Sequence, residues 1–532
     1  MKGHSSGWRT RIGALALLMA TVPAAANVDG SFDPAFDPGP GDTTYSFGRP
    51  GGGLWDFRWD RGGAAPYTDH DEAAALATQP DGKILVAGRV GNAYGGGSQY
   101  ACALLRVRED GSADASFGPA HDGTVLENFN GGQIDCSPAF VAVLGDGRIL
   151  WGGTVAGGGV EYAWMQRLTA GGFADVSFGG SNNSFFLGNA DTALSALAIG
   201  ADGALYGAGH MIVHNASDLD FYLLALGPDG DFLYSRSAAF DVGGELHDWA
   251  SAIVLQEIPG TSCGQGCQIA AHEEIYLVGT VTHANYVDLS NRDCGVFALR
   301  RSLFDAEFSA DPNFGPDGNG RLDVDFPAGG TSEGDNFCYA AVARPGSGYQ
   351  QVGYGIVVGG ENRFISTLGG GNPGLASTYA LAEVTGAGDV TRQDAFAYYQ
   401  SLPVPGTYNK IHAMVRQPEG KIVVAGWAGT PDAGHAPSDT GVIRFNADFS
   451  RDATFGNDGL GLAILSLDFP DIVVAAEWAS AIALDNRGRI AVAGNLNGQI
   501  VAENRPVIDW TIARLLTSDV IFRDGVDGGV PP

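Results

Sequence analysis

One short phrase returns seven times along the 532-residue chain: a polar turn with glycine, then an apolar strand ending in glycine. The copies are Lys83-Ile-Leu-Val-Ala-Gly88, Arg148-Ile-Leu-Trp-Gly-Gly153, Ala204-Leu-Tyr-Gly-Ala-Gly209, Glu274-Ile-Tyr-Leu-Val-Gly279, Gly355-Ile-Val-Val-Gly-Gly360, Lys421-Ile-Val-Val-Ala-Gly426 and Arg489-Ile-Ala-Val-Ala-Gly494. Their final glycines lie 65, 56, 70, 81, 66 and 68 residues apart. A unit of this length cannot bury its own apolar faces, so its recurrence demands a repeat architecture.

Repeat one shows the unit most clearly. Ala73-Ala-Ala-Leu-Ala77 reads as a strand of small residues, and Gln79-Pro-Asp-Gly82 as a turn. Lys83 to Ala87 is a continuous apolar run, as a strand buried on both faces requires. Tyr100 to Val107 is a third strand, and Thr124 to Phe129 supplies a fourth after a turn-rich connector. Four strands per unit predict an all-β, seven-bladed β-propeller of four-stranded blades. The rival is an open β-solenoid.

A second pattern bears on closure. In repeats one, two, four and six a late-strand arginine (Arg106, Arg167, Arg300, Arg444) precedes an Asp-x-x-Phe-Gly motif headed by Asp114, Asp175, Asp311 and Asp452. Repeats three and five carry Ala225 and Glu383 at the arginine position and lack the motif. An Arg–Asp pair that holds the connector to its strand accounts for the joint presence and absence. Repeat seven has Arg514 without the motif, and the missing piece stands near the N-terminus. There Asp29-Gly-Ser-Phe-Asp-Pro-Ala-Phe36 matches Asp110-Gly-Ser-Ala-Asp-Ala-Ser-Phe117 position for position. Asp33 is therefore expected to meet Arg514, closing the ring by pairing the N-terminal segment with the last repeat.

The unit x-Gln-Pro-Asp-Gly-Lys-Ile-x-Val-Ala-Gly, then Leu-x-Arg, then Asp-Gly-x-x-Asp-x-x-Phe-Gly, resembles the delta-60 repeat. Gln79 to Gly88 and Gln417 to Gly426 match it best, repeats three to five drift, and repeat four carries an insertion from about Glu257 to His272. The resemblance implies a secreted bacterial protein with a propeller-like fold and unknown function. It transfers no catalytic residues. The segment Asp519-Val-Ile-Phe-Arg-Asp-Gly525 is similar to a short tail on some secreted proteobacterial proteins, with Val526-Asp527 replacing Phe-Glu. The alternative is a last strand with a frayed end.

The N-terminus reads as an export signal. Lys2, Arg9 and Arg11 precede the apolar run Ile12 to Val22, and Ala24-Ala-Ala26 offers the small residues of a cleavage site after Ala26. The expected organisation is a signal peptide over 1–26, the repeat domain over 27–518 and a tail over 519–532. No later stretch is long and apolar enough to span a membrane, so a periplasmic or extracellular location follows. The formal charge of −30 becomes −33 once Lys2, Arg9 and Arg11 are removed. Such a surface repels nucleic acid.

Six cysteines in an exported chain suit disulfides. Their places suggest Cys102–Cys136, Cys263–Cys267 and Cys294–Cys338, although six cysteines allow 15 pairings. The spacing does not fit a paired-CxxC zinc site.

Motifs for chemistry are sparse. Gly369-Gly-Gly-Asn-Pro-Gly374 satisfies G-x-G-x-x-G, but no βαβ unit surrounds it and Pro373 stands where a helix should begin. Neither a P-loop nor a G-x-S-x-G elbow occurs. His210 and His214 have metal spacing only on a helix, and they follow a strand. Asp317, Asn319 and Asp323 resemble part of a calcium loop but lack its glycine at position six and glutamate at position twelve. A plain turn is the alternative. Trp55, Phe57 and Trp59, and Phe396, Tyr398, Tyr399 and Tyr408, could stack on sugars or pack between blades.

Two functional readings follow. One is a binding or structural module without a cofactor, whose unknown extracellular ligand or surface partner is a carbohydrate or a protein held at a loop face or central channel. The other is an extracellular hydrolase or lyase acting on a polymer in that channel. Histidine and carboxylates meeting within hydrogen-bond reach in one pocket favour the enzyme. A channel lined by small apolar or scattered polar groups favours the module.

Overall fold

The computed structural model describes residues 29, 31–36, 46–48, 54–57 and 69–517, apart from 92–99, 128, 130–133, 180–183, 188–190, 213–217, 241–246, 265–266, 270, 284–291, 303–304, 306, 328–333, 345–353, 367–373, 397–407, 430–437, 457–458, 466–471 and 501–504. The expected signal peptide and C-terminal tail lie outside these residues.

Every repeat is an antiparallel meander. Repeat one runs Asp69–Thr78, Ile84–Gly91, Tyr100–Val107, Thr124–Glu127. The first two strands are joined by a tight turn, in which Gln79 N–H donates to Lys83 O at 2.8 Å and Gly82 N–H donates to Gln79 O at 2.9 Å. Gly82 sits at φ +84°, where a side chain is strained. Ile84 to Ala87 are all buried, so the strand is covered on both faces.

The expectation of seven four-stranded blades is corrected by the sheet topology. Five sheets stand apart as blades four strands deep, not seven. Four of them are plain four-stranded sheets, within 135–186, 192–238, 335–396 and 409–465. In the fifth, Trp249–Ile258, His272–Thr282 and Arg292–Ser302 are followed by a split outer layer, Ser309–Ala310 and Arg321–Val324, both paired to Arg292–Ser302. The first and last repeats merge with the N-terminal hairpin Ser46–Gly48 and Leu54–Phe57 into one nine-stranded sheet. The join is made by the last strand, Arg505–Leu515. It pairs antiparallel with Leu54–Phe57, and at Val507 and Ile508 it runs parallel to Asp69 and His70.

The apolar cores lie between consecutive repeats. Trp151 and Trp164 of repeat two pack with Leu85, Leu104 and Phe117 of repeat one. Trp510 and Ile512 of repeat seven pack with Val86 and Leu105 of repeat one, so the last repeat seals against the first. Fully burying one such side chain stabilises the fold by about 1.5–3 kcal/mol. Two disulfides cross junctions: Cys102–Cys136 joins repeats one and two, and Cys294–Cys338 joins repeats four and five. The side chains of Cys263 and Cys267 lie outside the described residues. Among the described residues no helix is long and apolar enough to cross a membrane.

The final glycine of the sevenfold phrase has one cause throughout. Each innermost strand bulges one residue past the position that pairs with this glycine. The register shifts fall at Ala73/Ala75, Pro138/Phe140, Leu194/Ala196, Ala250/Ala252, Cys338/Ala340, Ile411/Ala413 and Ala479/Ala481. The bulge presses a carbonyl onto the glycine. A Cβ on Gly426 would lie 1.8 Å from Lys410 O, and one on Gly360 would lie 1.7 Å from Phe337 O. Only glycine permits that approach.

Candidate ligand-binding sites

The Arg and Asp residues singled out from sequence form anchors in four places. Nε of Arg106, Arg167, Arg444 and Arg514 lies 2.9, 2.7, 2.7 and 2.8 Å from Oδ2 of Asp114, Asp175, Asp452 and Asp33. Each guanidinium also covers a phenylalanine, its centre 4.2 Å from the ring of Phe117, 5.0 Å from Phe178, 4.8 Å from Phe455 and 4.8 Å from Phe36. Sequence reasoning missed a second cation. Lys83, Arg148, Lys421 and Arg489 approach the same carboxylates at 3.8, 3.1, 2.9 and 3.1 Å. Its signal was the first residue of the repeated phrase. Burial raises the pKa values of Asp114, Asp175 and Asp452, but hydroxyls of Ser116, Ser177 and Thr454 and the neighbouring cations bring all three below the ordinary value.

Repeat four departs from this pattern. Asp311 N–H donates to Ala298 O at 3.0 Å, as Asp114 N–H does to Arg106 O, so Ala298 fills the arginine position. Arg300 lies two residues further along and makes no ion pair with Asp311 among the described residues. The expected Arg300–Asp311 pair is corrected accordingly. Glu274 stands where other repeats place the second cation, and it accepts from the Tyr276 hydroxyl and lies 3.0 Å from His272 Nε2. In repeat five, Glu383 holds the arginine position and binds Arg344 at 2.7 Å.

Other candidates are dispersed. His210 lies 3.4 Å from Glu161, and His214 is outside the described residues. Asn319 Oδ1 accepts from Arg321 N–H at 3.0 Å, Asp323 faces His283 at 3.5 Å, and Asp317 is exposed. Among the described residues no group of three or more His, Cys, Asp or Glu side chains could hold a metal ion. Phe396 packs between Tyr379 and Phe445, joining repeats five and six. Tyr408 is half-buried. Tyr398, Tyr399, Trp59, the side chains of Trp55 and Phe57, and the loop 369–373 lie outside the described residues.

Two cavities bear on ligand binding. One, of about 660 Å3, is lined by innermost strands of repeats four to seven, with Ile253, Val254, Val342, Met414, Val415 and Leu484 in its wall. This is the central channel near its tight-turn mouth, and its wall is mostly apolar, with Arg416 and Gln417 at the turn. The other, of about 840 Å3, opens between repeats three, four and five on the same face.

This cleft exists because repeat four breaks the turn rule. Four residues suffice at Gln79–Gly82 and Gln417–Gly420, with the same pair of hydrogen bonds in each. Repeat four instead makes an excursion between Ile258 and His272, carrying the hairpin strands Thr261–Gly264 and Cys267–Ile269. Asp202, Glu257, His272, Glu273, Arg301 and Asp305 line the cleft, with Tyr354 from repeat five. Arg301 is held by Glu273, Nε to Oε2 at 2.8 Å, and lies 3.6 Å from Asp202. Its guanidinium also covers Phe308 at 4.8 Å. Glu273 is thus neutralised, while Glu257 is exposed toward the opening.

No curated protein matches the chain in sequence. Among solved structures, the GH93 α-L-arabinofuranosidase of Fusarium graminearum with arabinobiose is similar at 9% identity and a TM-score of 0.34, over 84% of this chain and 95% of that one. The α-L-arabinofuranosidase Arb93A from Fusarium graminearum with an iminosugar inhibitor is similar at 10% identity and a TM-score of 0.33, over 86% and 99%. Residues 79–117 and 417–455 match a domain of unknown function, the DUF5122 beta-propeller. These two matches, in repeats one and six, support a β-propeller repeat family of unknown function.

Proposed function

We propose that this chain is an exported binding module whose ligand occupies the cleft between repeats three, four and five. The observation that carries the reading is the local exception in repeat four: its long departure from the repeat's turn opens a cavity lined by polar side chains. Carboxylate acceptors beside a fixed guanidinium suit a ligand dense in hydroxyl groups, such as a carbohydrate. The two disulfides support export to an oxidising compartment.

The hydrolase reading draws on His272 of the cleft wall and its neighbour Glu274, 3.0 Å apart. Glu274 is buried, however, and already accepts from Tyr276. Glu273 is committed to Arg301. An acid held ready for proton transfer needs a free face toward substrate, and the exposed carboxylates suit binding better.

A glycan array on the purified protein tests this directly. Binding to a defined set of glycans is expected, lost in an Asp202→Asn/Glu257→Gln double variant that keeps its thermal midpoint. Release of new reducing ends from a bound polymer would overturn the module reading in favour of the hydrolase.

A further inference from the structure

The bulged end of the central channel is chemically unlike its mostly apolar half. Each bulge leaves one extra residue on the innermost strand: Ala74, Ala139, Ser195, Ser251, Tyr339, His412 and Ser480, all half-buried. Repeats one to four supply small groups, whereas repeats five and six supply two large rings. Tyr339 and His412 stack nearly parallel, 5.9 Å apart at 15°. Trp427 continues the row 6.4 Å from His412, and Trp478 of repeat seven meets Trp427 edge to face at 5.7 Å. All of these rings are half-buried.

Packing explains the rings but not the polar groups set among them. Lys410 extends its ammonium over Tyr339, 3.9 Å from the ring centre. No carboxylate comes within ion-pair distance of it among the described residues. Two other cations nearby are paired, Arg89 with Glu72 at 2.7 Å and Arg344 with Glu383 at 2.7 Å, while Arg416, at the far end of the strand that carries Lys410, lines the cavity without an ion pair among the described residues. Glu361 acts on Lys410 from further away. It is occupied by the Tyr339 hydroxyl at 3.0 Å and by Arg363 at 2.6 Å. Nε2 of His412 and Nε1 of Trp427 are buried without a hydrogen-bond partner among the described residues. Burial pushes His412 down to about 3, with the Lys410 charge adding to the effect, so its ring is neutral.

An unpaired ammonium is costly in a half-buried site, and a buried indole N–H without an acceptor adds to that cost. In a chain with 60 acidic and 30 basic residues, carboxylates were abundant as partners. A bound anion satisfies the ammonium and the N–H together. The indole faces beside them suit the apolar face of a sugar ring. We propose that Lys410, His412, Trp427 and Trp478 form a second ligand site, at the bulged mouth of the channel, for the carboxylate-bearing ring of an acidic sugar.

Calorimetric titration of the full chain with a galacturonate trimer, a galactose trimer and inorganic phosphate tests the proposal. The galacturonate trimer is expected to bind at least roughly tenfold more tightly than either other probe, since a charge-assisted contact is added to stacking. Lys410→Gln should abolish that preference, and Lys410→Arg should restore most of it. The Asp202→Asn/Glu257→Gln protein should retain it, which separates this site from the cleft. Equal binding of the two sugars overturns the proposal, as does phosphate binding as tightly as galacturonate or unaltered binding by Lys410→Gln. The comparison of probes on the unmodified protein decides the matter even if a variant misfolds.

Discussion

Repeats one, two and six, and repeat seven with the N-terminal segment, hold their connectors by a buried arginine, a carboxylate and a second cation; repeats three to five do not. Both groups nevertheless form the same meander and have the same bulge. The difference teaches that the anchor is an addition to the architecture, not its cause. Repeat four makes this plain. Without the arginine, Asp311 N–H still donates to the strand at Ala298 O, and Gly315 N–H still reaches Ala387 O of the next repeat at 3.1 Å. Gly118, Gly179 and Gly456 make the same link to Gly171, Asp229 and Asp29. Released from the anchor, repeats three to five carry the insertion and the cleft.

Several substitutions would break or sharpen this contrast. The largest effect belongs to what all repeats share. Gly426→Ala should cost about 4 kcal/mol or more, because its Cβ would meet a backbone carbonyl that cannot yield. Gly145→Ala, with open space around it, should change stability by less than about 0.5 kcal/mol. Thermal midpoints of the two proteins check the pair. Arg444→Met comes next. It strips Asp452 and Asp29 of a buried partner and should cost about 3–5 kcal/mol. Arg300→Met in repeat four should cost less than about 0.5 kcal/mol. Equal losses from these two would restore the arginine of repeat four to an anchoring role.

Cys294→Ala/Cys338→Ala opens the staple beside the unanchored repeats and should cost about 2–4 kcal/mol. Hydrogen exchange should then quicken first in repeats four and five. The smallest effect is in acid. Asp114, Asp175 and Asp452 have lowered pKa values in the folded chain, so their stabilisation is complete above the unfolded value near 3.8 and is lost as pH falls below it. Urea midpoints measured below pH 4 should drop in the unmodified protein and drop less steeply in Arg444→Met.

Legibility from sequence followed where side chains carry the information. Asp33 and Arg514 could be matched because Asp29-Gly-Ser repeats Asp110-Gly-Ser, with an aspartate and a phenylalanine at matching offsets. Arg300 misled because register is set by main-chain bonds, and the strand of repeat four runs three residues further past the arginine position than that of repeat one. The merger of the first and last repeats was invisible for a similar reason. It rests on a parallel contact at Asp69–Val507 and His70–Ile508 that needs no particular side chain. The cleft was half legible, since the insertion from Glu257 to His272 stood out while its facing residues, Asp202 and Arg301, did not. The aromatic arc was hidden entirely, because a bulge reverses which residues face inward and leaves only a glycine on the neighbouring strand as its trace.

That bulge separates two tasks that most strands combine. Backbone shape is fixed by a glycine one strand away, so the frame does not depend on which side chain the bulged position carries. The seven repeats hold alanine, serine, tyrosine or histidine at this position and keep the same bulge. A lineage of these chains can therefore change what its channel mouth accepts one position at a time, like resetting single wheels of a combination lock.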